Sequence, residues 1–288
     1  MMRIPRRIYP ALICYLIMLL LVIFPLLYSL TTSFFDYDLI AKSMKFIGLG
    51  NYITLITKDS RFQSDVALTV KLWIGCVAIE MFLGIGIAIL LNSLSERSRG
   101  ILVPIMVIPT LLSGIQTGFL FRLVYHELFG PLNHILRTIG IISKPILWLS
   151  DPKLVVPSII FMDVWQWTPF ITLVTLAGFV SVPRAFYEAA EVDGLSQWQK
   201  IRYVMLPPAK PFIIIAFLIR AMDAIKIFDI IYVSTQGGPA LSTESLTYYI
   251  YNVGFSFFRM GYAAAISYLL LVVVIIGMNI LFKFVKIE

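Results

Sequence analysis

Residues 181–208 read SVPRAFYEAAEVDGLSQWQKIRYVMLPP and contain the most specific pattern in the chain. Ser181 followed by Pro183 is a helix start, because proline is tolerated in the first turn of a helix. Asp193-Gly194 is a helix stop, since glycine readily takes the left-handed conformation that follows many helices. The first half of the stretch is therefore predicted to be a short helix with a defined end.

A second helix is predicted to begin directly after this stop. Ser196 and Gln199 have the spacing of a capping box, in which each side chain binds the other residue's backbone N–H. We expect this helix to end before Pro207-Pro208. The apolar residues of the two helices form one stripe, which predicts a rigid amphipathic hairpin: Phe186, Ala189, Ala190, Leu195, Trp198, Ile201 and Val204.

The rest of the chain is too apolar for a soluble protein. Of its 288 residues, 59% are hydrophobic and 14% are charged, whereas a soluble domain carries about 25% charged residues. The chain is therefore predicted to be an integral membrane protein. We interpret its net charge of +7 as a topology signal from cytoplasmic loops and not as a nucleic-acid site. Cys14 and Cys76 lie in apolar runs, which indicates neither a disulfide framework nor a metal site.

Six apolar runs approach the length that a helix needs to cross a bilayer, about 20 residues. The first is too long for the apolar core of a signal peptide and is interpreted as a span. An even number of spans places both termini on one side. The runs are Ile8–Phe35, Leu68–Leu91, Ile101–Tyr125, Val155–Val180, Phe212–Val233 and Tyr262–Phe282.

Basic residues set the expected orientation. Their density is higher on the side that holds the N-terminus, so we expect both termini and the hairpin to be cytoplasmic. The basic residues assigned to this side are Arg3, Arg6, Arg7, Arg97, Arg99, Arg184, Lys200, Arg202, Lys210, Lys283 and Lys286.

Three regions follow from these spans. Residues 1–67 hold an N-terminal cytoplasmic segment, the first span and an extracytoplasmic loop. Residues 68–282 form the main transmembrane domain, which includes the hairpin at 181–208. Residues 283–288 are expected to be a cytoplasmic tail.

The hairpin resembles a motif of the membrane subunits of binding-protein-dependent ABC importers. The motif is Glu-Ala-Ala, three residues, Gly, nine residues, Ile, one residue and Leu-Pro. It is matched by Glu188-Ala189-Ala190, Gly194, Val204 and Leu206-Pro207. The departures are mild: Val204 replaces Ile, and Leu195 stands where the family usually has Ala.

Weaker segments extend the resemblance over nearly the whole chain. They are similar to segments of the carbohydrate-type importers, in the first of their two different permeases, as in maltose and glycerol-phosphate importers. These segments are 46–52, 130–133, 148–152, 228–229 and 235–239.

The resemblance implies an all-α type I ABC importer permease with six transmembrane helices, in a bacterial or archaeal plasma membrane. In that family the hairpin is a coupling helix that docks into a groove on the ATPase subunit. The expected partners are a second permease, two ATPase subunits that bind ATP and Mg, and an extracytoplasmic sugar-binding protein. An amphipathic hairpin lying on the membrane surface is the alternative. The docking residues carried over are Glu188, Ala189, Ala190, Asp193 and Gly194.

Span five carries four charges of alternating sign, three residues apart. Residues at i and i+3 are neighbours on a helix, so the four are expected to pair in sequence. They either line the translocation path or only fix helix contacts with a partner subunit. The four are Arg220, Asp223, Lys226 and Asp229.

Other polar groups predicted to lie within the membrane complete the candidate substrate path. An ionisable group inside a membrane is a functional candidate by default, and aromatic faces beside amides suit a sugar. Tryptophans near a span end can instead be interfacial anchors. The full candidate path is Glu80, Asp163, Trp165, Gln166, Arg220, Asp223 and Lys226.

Span three contains two prolines, Pro104 and Pro109, and a Gly114-x-x-x-Gly118 spacing. Proline bends membrane helices, and small residues allow close helix contact. These residues predict either a span that bends around a pathway or ordinary close packing between helices.

The sequence carries no phosphate-binding loop of the Gly-x-x-x-x-Gly-Lys-Ser/Thr type. His126 and His134 lack metal-ligand spacing, and no catalytic arrangement is evident, so we predict no cofactor, no metal and no enzymatic activity in this chain. The favoured function is a sugar permease driven by ATP hydrolysis on a partner. An ion-coupled carrier working alone and a non-transporting membrane scaffold are the alternatives.

Overall fold

The computed structural model describes residues 8–284, and the side chains from Cys14 to Lys283. Arg3, Arg6, Arg7 and Lys286, used above for orientation, lie outside this range. The elements are α1 Ile8–Ser33, β1 Phe35–Asp38, β2 Ser43–Phe46, α2 Gly50–Thr57, α3 Ser60–Asn92, α4 Glu96–Val107, a 3₁₀ turn Ile108–Leu111, α5 Gly114–Val124, α6 Pro131–Thr138, α7 Val155–Val180, α8 Arg184–Val192, α9 Gln197–Gln199, a π-helical segment Lys200–Met205, α10 Leu206–Ala224, α11 Asp229–Ser234, α12 Leu246–Tyr251, a π-helical segment Asn252–Ser256 and α13 Met260–Phe284.

Membrane-spanning helices dominate the described part of the chain. Five continuous helices are long and apolar enough to cross a bilayer, and a bent helix pair makes a sixth when the pair is counted as one span. The prediction of an all-α membrane protein with six spans is confirmed on this basis. The five are Cys14–Ser33, Ser60–Asn92, Val155–Val180, Gln197–Ala224 and Met260–Lys283, and the bent pair is Glu96–Leu111 with Gly114–Val124.

The third span bends by 96° between Leu111 and Gly114. Pro104 lies inside α4, and the chain is extended at Leu112 before α5 begins. Ser113 and Gln116 form a complete capping box that starts α5 in its new direction. The bend expected from the prolines is therefore present, and a new N-cap fixes its position.

The fifth span ends earlier than predicted. The sequence suggested one helix over Phe212–Val233, but α10 ends at Ala224 and α11 begins at Asp229. The break leaves the Ile227 carbonyl without a helical donor, and the hydroxyls of Ser245 and Thr247 each donate to it at 2.8 Å. Such breaks are tolerated at membrane depth where neighbouring side chains satisfy the backbone. Here those side chains lie outside the span, so the sequence of the span alone does not reveal the break.

The first span also ends earlier than predicted, at Ser33 instead of Phe35. Phe35 begins a strand that pairs antiparallel with β2, where it lies opposite Phe46. The Asn51 amide then donates to the carbonyls of Ser33 and Phe35 at 2.8 and 3.0 Å. Asn51 belongs to the 46–52 segment noted in the sequence, so this segment fixes the exit of the first helix.

The chain divides into two compact units, Met1–Gln63 with Tyr249–Ile275, and Ser64–Tyr248 with Ile276–Glu288. The second unit contains the candidate site. Its main apolar core joins α3, α5, α7, α11 and α12 through Leu72, Phe121, Val155, Ile159, Met162, Ile231 and Tyr248. A second cluster beneath the hairpin contains Ala88, Leu91, Leu176, Phe179, Met205 and Ala209.

Asp59 anchors the first unit. Its carboxylate accepts hydrogen bonds from the hydroxyls of Tyr249 and Tyr262, both at 2.7 Å, and from the Phe62 backbone N–H at 2.9 Å. Burial alone would raise the pKa of Asp59, but these hydrogen bonds to the ionised form outweigh it and hold the pKa below its usual range. The ionised carboxylate thus ties the start of α3 to α12 and α13.

Asp59 should make thermal stability depend on pH in the acid range. Because its folded pKa is lowered, its contribution is complete above about pH 4 and is lost as the pH falls through the folded value. Asp59→Ala should cost about 1–3 kcal/mol at pH 7 by removing the acceptor of two tyrosine hydroxyls. Melting temperatures of the purified protein at several pH values measure this. An equal acid dependence in wild type and variant would contradict it.

Candidate functional site

Four charged side chains meet inside the second unit. The Arg220 guanidinium on α10 binds both oxygens of Glu80 on α3, with Nε to Oε2 at 2.7 Å and Nη2 to Oε1 at 2.8 Å. Nη2 also donates to Asp163 Oδ2 on α7 at 2.7 Å, and Nη1 to Asp223 Oδ2 at 2.9 Å. The side chains of Arg220 and Glu80 are 1% and 0% exposed. We call these four residues the buried charge cluster.

The buried charge cluster joins three spans through one guanidinium. Arginine suits this position because its planar fork can bind several carboxylates and it remains charged when buried. Removing one partner of a buried pair leaves an uncompensated charge, which costs about 3–5 kcal/mol. The cluster therefore fixes α3, α7 and α10 against one another.

One edge of the cluster reaches a cavity. Asp223 is 52% exposed on this side, and the Trp167 ring lies 4.7 Å from the Arg220 guanidinium carbon. The cavity has a volume of about 200 Å³, and its polar lining is formed by Asp163, Gln166, Trp167, Asp223, Lys226 and Asp229. Charged, amide and aromatic groups thus converge on one space between α7, α10 and the start of α11.

Gln166 connects this cavity to the bent third span. Its Nε2 donates to the Leu112 carbonyl at 2.7 Å, and its backbone carbonyl accepts from Thr110 Oγ1 at 2.9 Å. Leu112 lies at the bend, where its carbonyl has left the helical pattern. Gln166 thus satisfies the backbone at the break while lining the cavity.

The structure divides the predicted substrate path into two groups. Asp163, Gln166, Asp223 and Lys226 line the cavity. Glu80 and Arg220 lie fully buried behind it and are placed to hold its walls. Trp165 is also away from the cavity, because its ring packs edge-on against Phe121 at 5.2 Å in the apolar core.

The prediction that the four charges of span five pair in sequence is wrong in part. Arg220 does pair with Asp223 at i+3, but its strongest partners come from α3 and α7. The helix ends at Ala224, so Lys226 and Asp229 do not continue the same face. Among the described residues, no ion pair within 4.0 Å links Lys226 to Asp223 or Asp229.

Two residues of the cavity lining, Trp167 and Asp229, are absent from the seven-residue candidate path, although Asp229 is one of the span-five charges considered for the translocation path. Trp167 lies four residues after Asp163, and helical spacing could have placed both on one face. Asp229 reaches the cavity because α11 packs on α5, where Gly114 leaves room for it. A Cβ at position 114 would lie 2.8 Å from the Asp229 Cβ.

The stop of the first hairpin helix and the start of the second agree with the prediction from the sequence. Helix α8 ends at Val192 with Asp193 as its C-cap, and Gly194 is left-handed at φ +70°. The N–H groups of Gly194 and Leu195 donate to the carbonyls of Glu191 and Ala190, which is the Schellman pattern. The Ser196 capping box with Gln199 is complete, and Lys200 pairs with Glu191 across the hairpin at 2.9 Å.

The second half of the hairpin differs from the prediction. The second helix of the hairpin does not end before Pro207-Pro208. Instead, α9 continues through the π-helical segment Lys200–Met205 into α10. The prolines stand in the first turn of α10, where their missing N–H groups are tolerated. The π-helical segment that precedes them changes the hydrogen-bond register of the helix. The hairpin is thus directly continuous with the span that carries Arg220.

The outer face of the hairpin is polar and aromatic. Glu188, Ala189, Asp193 and Gly194 of the predicted docking set are exposed. Ala190 is 4% exposed and faces inward, so its side chain is not on the outer face. Large apolar side chains also remain exposed here, with Phe186 at 60%, Val192 at 88% and Trp198 at 66%.

Within residues 8–284, no group of three or more His, Cys, Asp or Glu side chains is arranged to hold a metal ion. Cys14 and Cys76 are both free thiols; Cys76 is buried, whereas Cys14 is exposed on α1.

Comparisons with known proteins place these features in a family. The family described as "Binding-protein-dependent transport system inner membrane component" matches residues 80–286. A probable ABC transporter permease protein of Sinorhizobium fredii is 38% identical over 261 residues, which cover 90% of this chain and 83% of that protein. The trehalose/maltose transport system permease protein MalF of Thermococcus litoralis is 36% identical over 233 residues, covering 80% and 76%.

The fold is similar to a solved structure. A chain of a bacterial alginate ABC transporter, crystallised with an alginate pentasaccharide-bound periplasmic protein, superposes with a TM-score of 0.85. The match covers 97% of this chain and 93% of that one at 23% sequence identity. This likeness concerns the fold.

The buried charge cluster predicts a large effect for Arg220→Met. Glu80 and Asp163 would remain buried without their cation, so the variant should lose about 3–5 kcal/mol of stability. Arg122→Met is the control, because Arg122 is exposed and donates one 3.3 Å hydrogen bond to Val233; it should change stability by about 1 kcal/mol or less. Thermal unfolding in detergent compares them, and equal melting temperatures would contradict the assigned role.

Proposed function

We propose that this chain, which belongs to the family of binding-protein-dependent transport system inner membrane components, carries a sugar or sugar-like solute into the cell. The observation that carries the proposal is the cavity beside the buried charge cluster. It brings carboxylates, an amide and the Trp167 ring to one space among membrane spans. Hydrogen-bonding groups beside an aromatic face are what a sugar requires.

The small size of the cavity supports a site shared with a second permease. Its volume is about 200 Å³, whereas small-molecule sites usually measure about 300–1,000 Å³. Every described side chain from Cys14 to Tyr28 is exposed as well. We assign these surfaces to lipid and to a different but similar permease subunit.

The hairpin is the proposed contact to the ATPase subunits. Its Schellman motif and capping box make it rigid, and its exposed side chains offer both charge and apolar surface. Since α9 runs without interruption into α10, a displacement of the hairpin would move the helix that holds Arg220. ATP and Mg would bind to the partner ATPases, and this chain would need no cofactor of its own.

Alternating access follows from this connection. Closure of two ATPases would draw the hairpins together and rotate the spans as rigid bodies around the solute site. An extracytoplasmic sugar-binding protein would deliver the solute to the outward-facing cavity. We place both termini and the hairpin in the cytoplasm of a bacterial or archaeal cell, with the basic residues inside.

Reconstitution tests the proposed function. The complex of this chain with its partner permease, ATPases and binding protein should take up sugar into proteoliposomes only with ATP. Uptake by this chain alone under an ion gradient would favour an independent carrier and contradict the proposal. Absence of uptake by an intact complex that hydrolyses ATP would favour a scaffold.

Docking is tested by Glu188→Lys and Gly194→Asp. Glu188 is exposed and has only a long 3.8 Å pair with Arg184, which is worth about 0.3–0.5 kcal/mol. No atom lies within 4 Å of a Cβ at Gly194, and Asp tolerates the left-handed conformation better than most residues. Both variants should therefore insert and fold, yet weaken ATPase association and uptake at least about tenfold.

Lys153→Glu is the control for docking, because it reverses an exposed charge outside the hairpin. It should leave association unchanged. Co-purification of the ATPase with each variant measures the effect. Normal association of both hairpin variants would show that the hairpin lies elsewhere, for example on the membrane surface.

A further inference from the structure

We infer, on the basis of the proposed function, that the cavity selects uncharged, hydroxyl-rich sugars and excludes acidic ones. Its lining offers many hydrogen-bond acceptors and few donors. Asp163, Asp223 and Asp229 contribute carboxylates, and Lys226 contributes the one cationic side chain of the lining in the described structure. A solute that donates hydrogen bonds matches such a surface, whereas a carboxylate, sulfonate or phosphate does not.

The guanidinium of Arg220 does not reverse this balance. It directs Nε and Nη2 to Glu80 and Asp163, and Nη1 to Asp223. Its side chain is 1% exposed and forms no part of the cavity lining. Arg220 therefore orients Asp163 and Asp223 and is committed to partners within the protein.

Gln166 directs its side-chain donor to the bend of span three, not to the solute. The residue is 2% exposed, and Oε1 has no hydrogen-bond partner among the described residues. Its amide cannot rotate to exchange oxygen and nitrogen, because Nε2 is bound to the Leu112 carbonyl. The donor of the side chain is thus committed within the protein, and Oε1 is an acceptor that is closed to solvent in this state.

The formal charge of the site acts in the same direction. The lining itself carries three carboxylates (Asp163, Asp223 and Asp229) and one cation (Lys226). The charge of Arg220 behind it is shared among Glu80, Asp163 and Asp223. Charge effects are strong in a protein interior because the dielectric constant is low. An anionic sugar would be repelled here, so Asp223 and Asp229 become selectivity residues.

Cysteine labelling measures this charge preference without any transport step. In the assembled complex, this chain would carry Cys14→Ser and Cys76→Ala, with Phe228→Cys placed at the cavity wall. Ala224→Cys, a smaller change on the same wall, is the second site. Thr57→Cys, exposed and remote from the cavity in sequence, is the reference cysteine. The probes are the trimethylammonium-ethyl and sulfonate-ethyl methanethiosulfonates, which differ in charge.

The cavity cysteines should favour the cationic probe over the anionic one at least about tenfold more than the reference cysteine does. Asp223→Asn with Asp229→Asn should reduce this ratio toward the reference value. A ratio at both cavity cysteines equal to or below that of the reference would overturn the inference.

Uptake separates the inference from the proposed function. With the wild-type complex, a neutral sugar should be transported and the matching uronic acid should not, even when the binding protein captures both. Equal uptake of the two would overturn the inference while supporting sugar transport. A high labelling ratio without uptake of any sugar would support the charge preference and count against the proposed function.

Discussion

The structure of the second unit depends on one guanidinium held by three carboxylates. Arg220 joins α10 to Glu80 on α3 and to Asp163 on α7, at distances of 2.7–2.8 Å. A charge buried this deeply is tolerated only with full pairing. The arrangement therefore requires the three spans to keep one relative position, and this position creates the cavity wall on which Asp223 and Trp167 stand.

Broken helices surround that wall, and side chains from other elements complete them. Gln166 binds the carbonyl of Leu112 at the bend of span three, and Trp73 donates to the Ala221 carbonyl near the end of α10 at 2.8 Å. Irregular backbone is found at membrane depth only where such contacts or a cavity accommodate it. The same breaks that require these contacts open the space between α5, α7 and α11.

The sequence was sufficient for the span pattern and the hairpin caps, because apolar length and capping are local properties. It correctly located the stop of the first hairpin helix at Gly194 and the start of the second at Ser196. It could not show that α10 stops at Ala224, since the groups that satisfy this break lie about twenty residues further along the chain. Helical spacing from Asp163 separates Trp167 from Trp165, but only tertiary packing shows that the Asp163 face of α7 is the one that meets the cavity.

The cavity held by Arg220 is proposed to contact the transported solute through its acceptor groups. A structure of the assembled complex with a neutral sugar bound in the membrane shows whether it does. Sugar hydroxyls are expected within about 3 Å of the Asp223 and Asp229 carboxylates, with the ring against Trp167. A sugar bound away from α7 and α10, with the cavity filled by side chains of the partner permease, would contradict it.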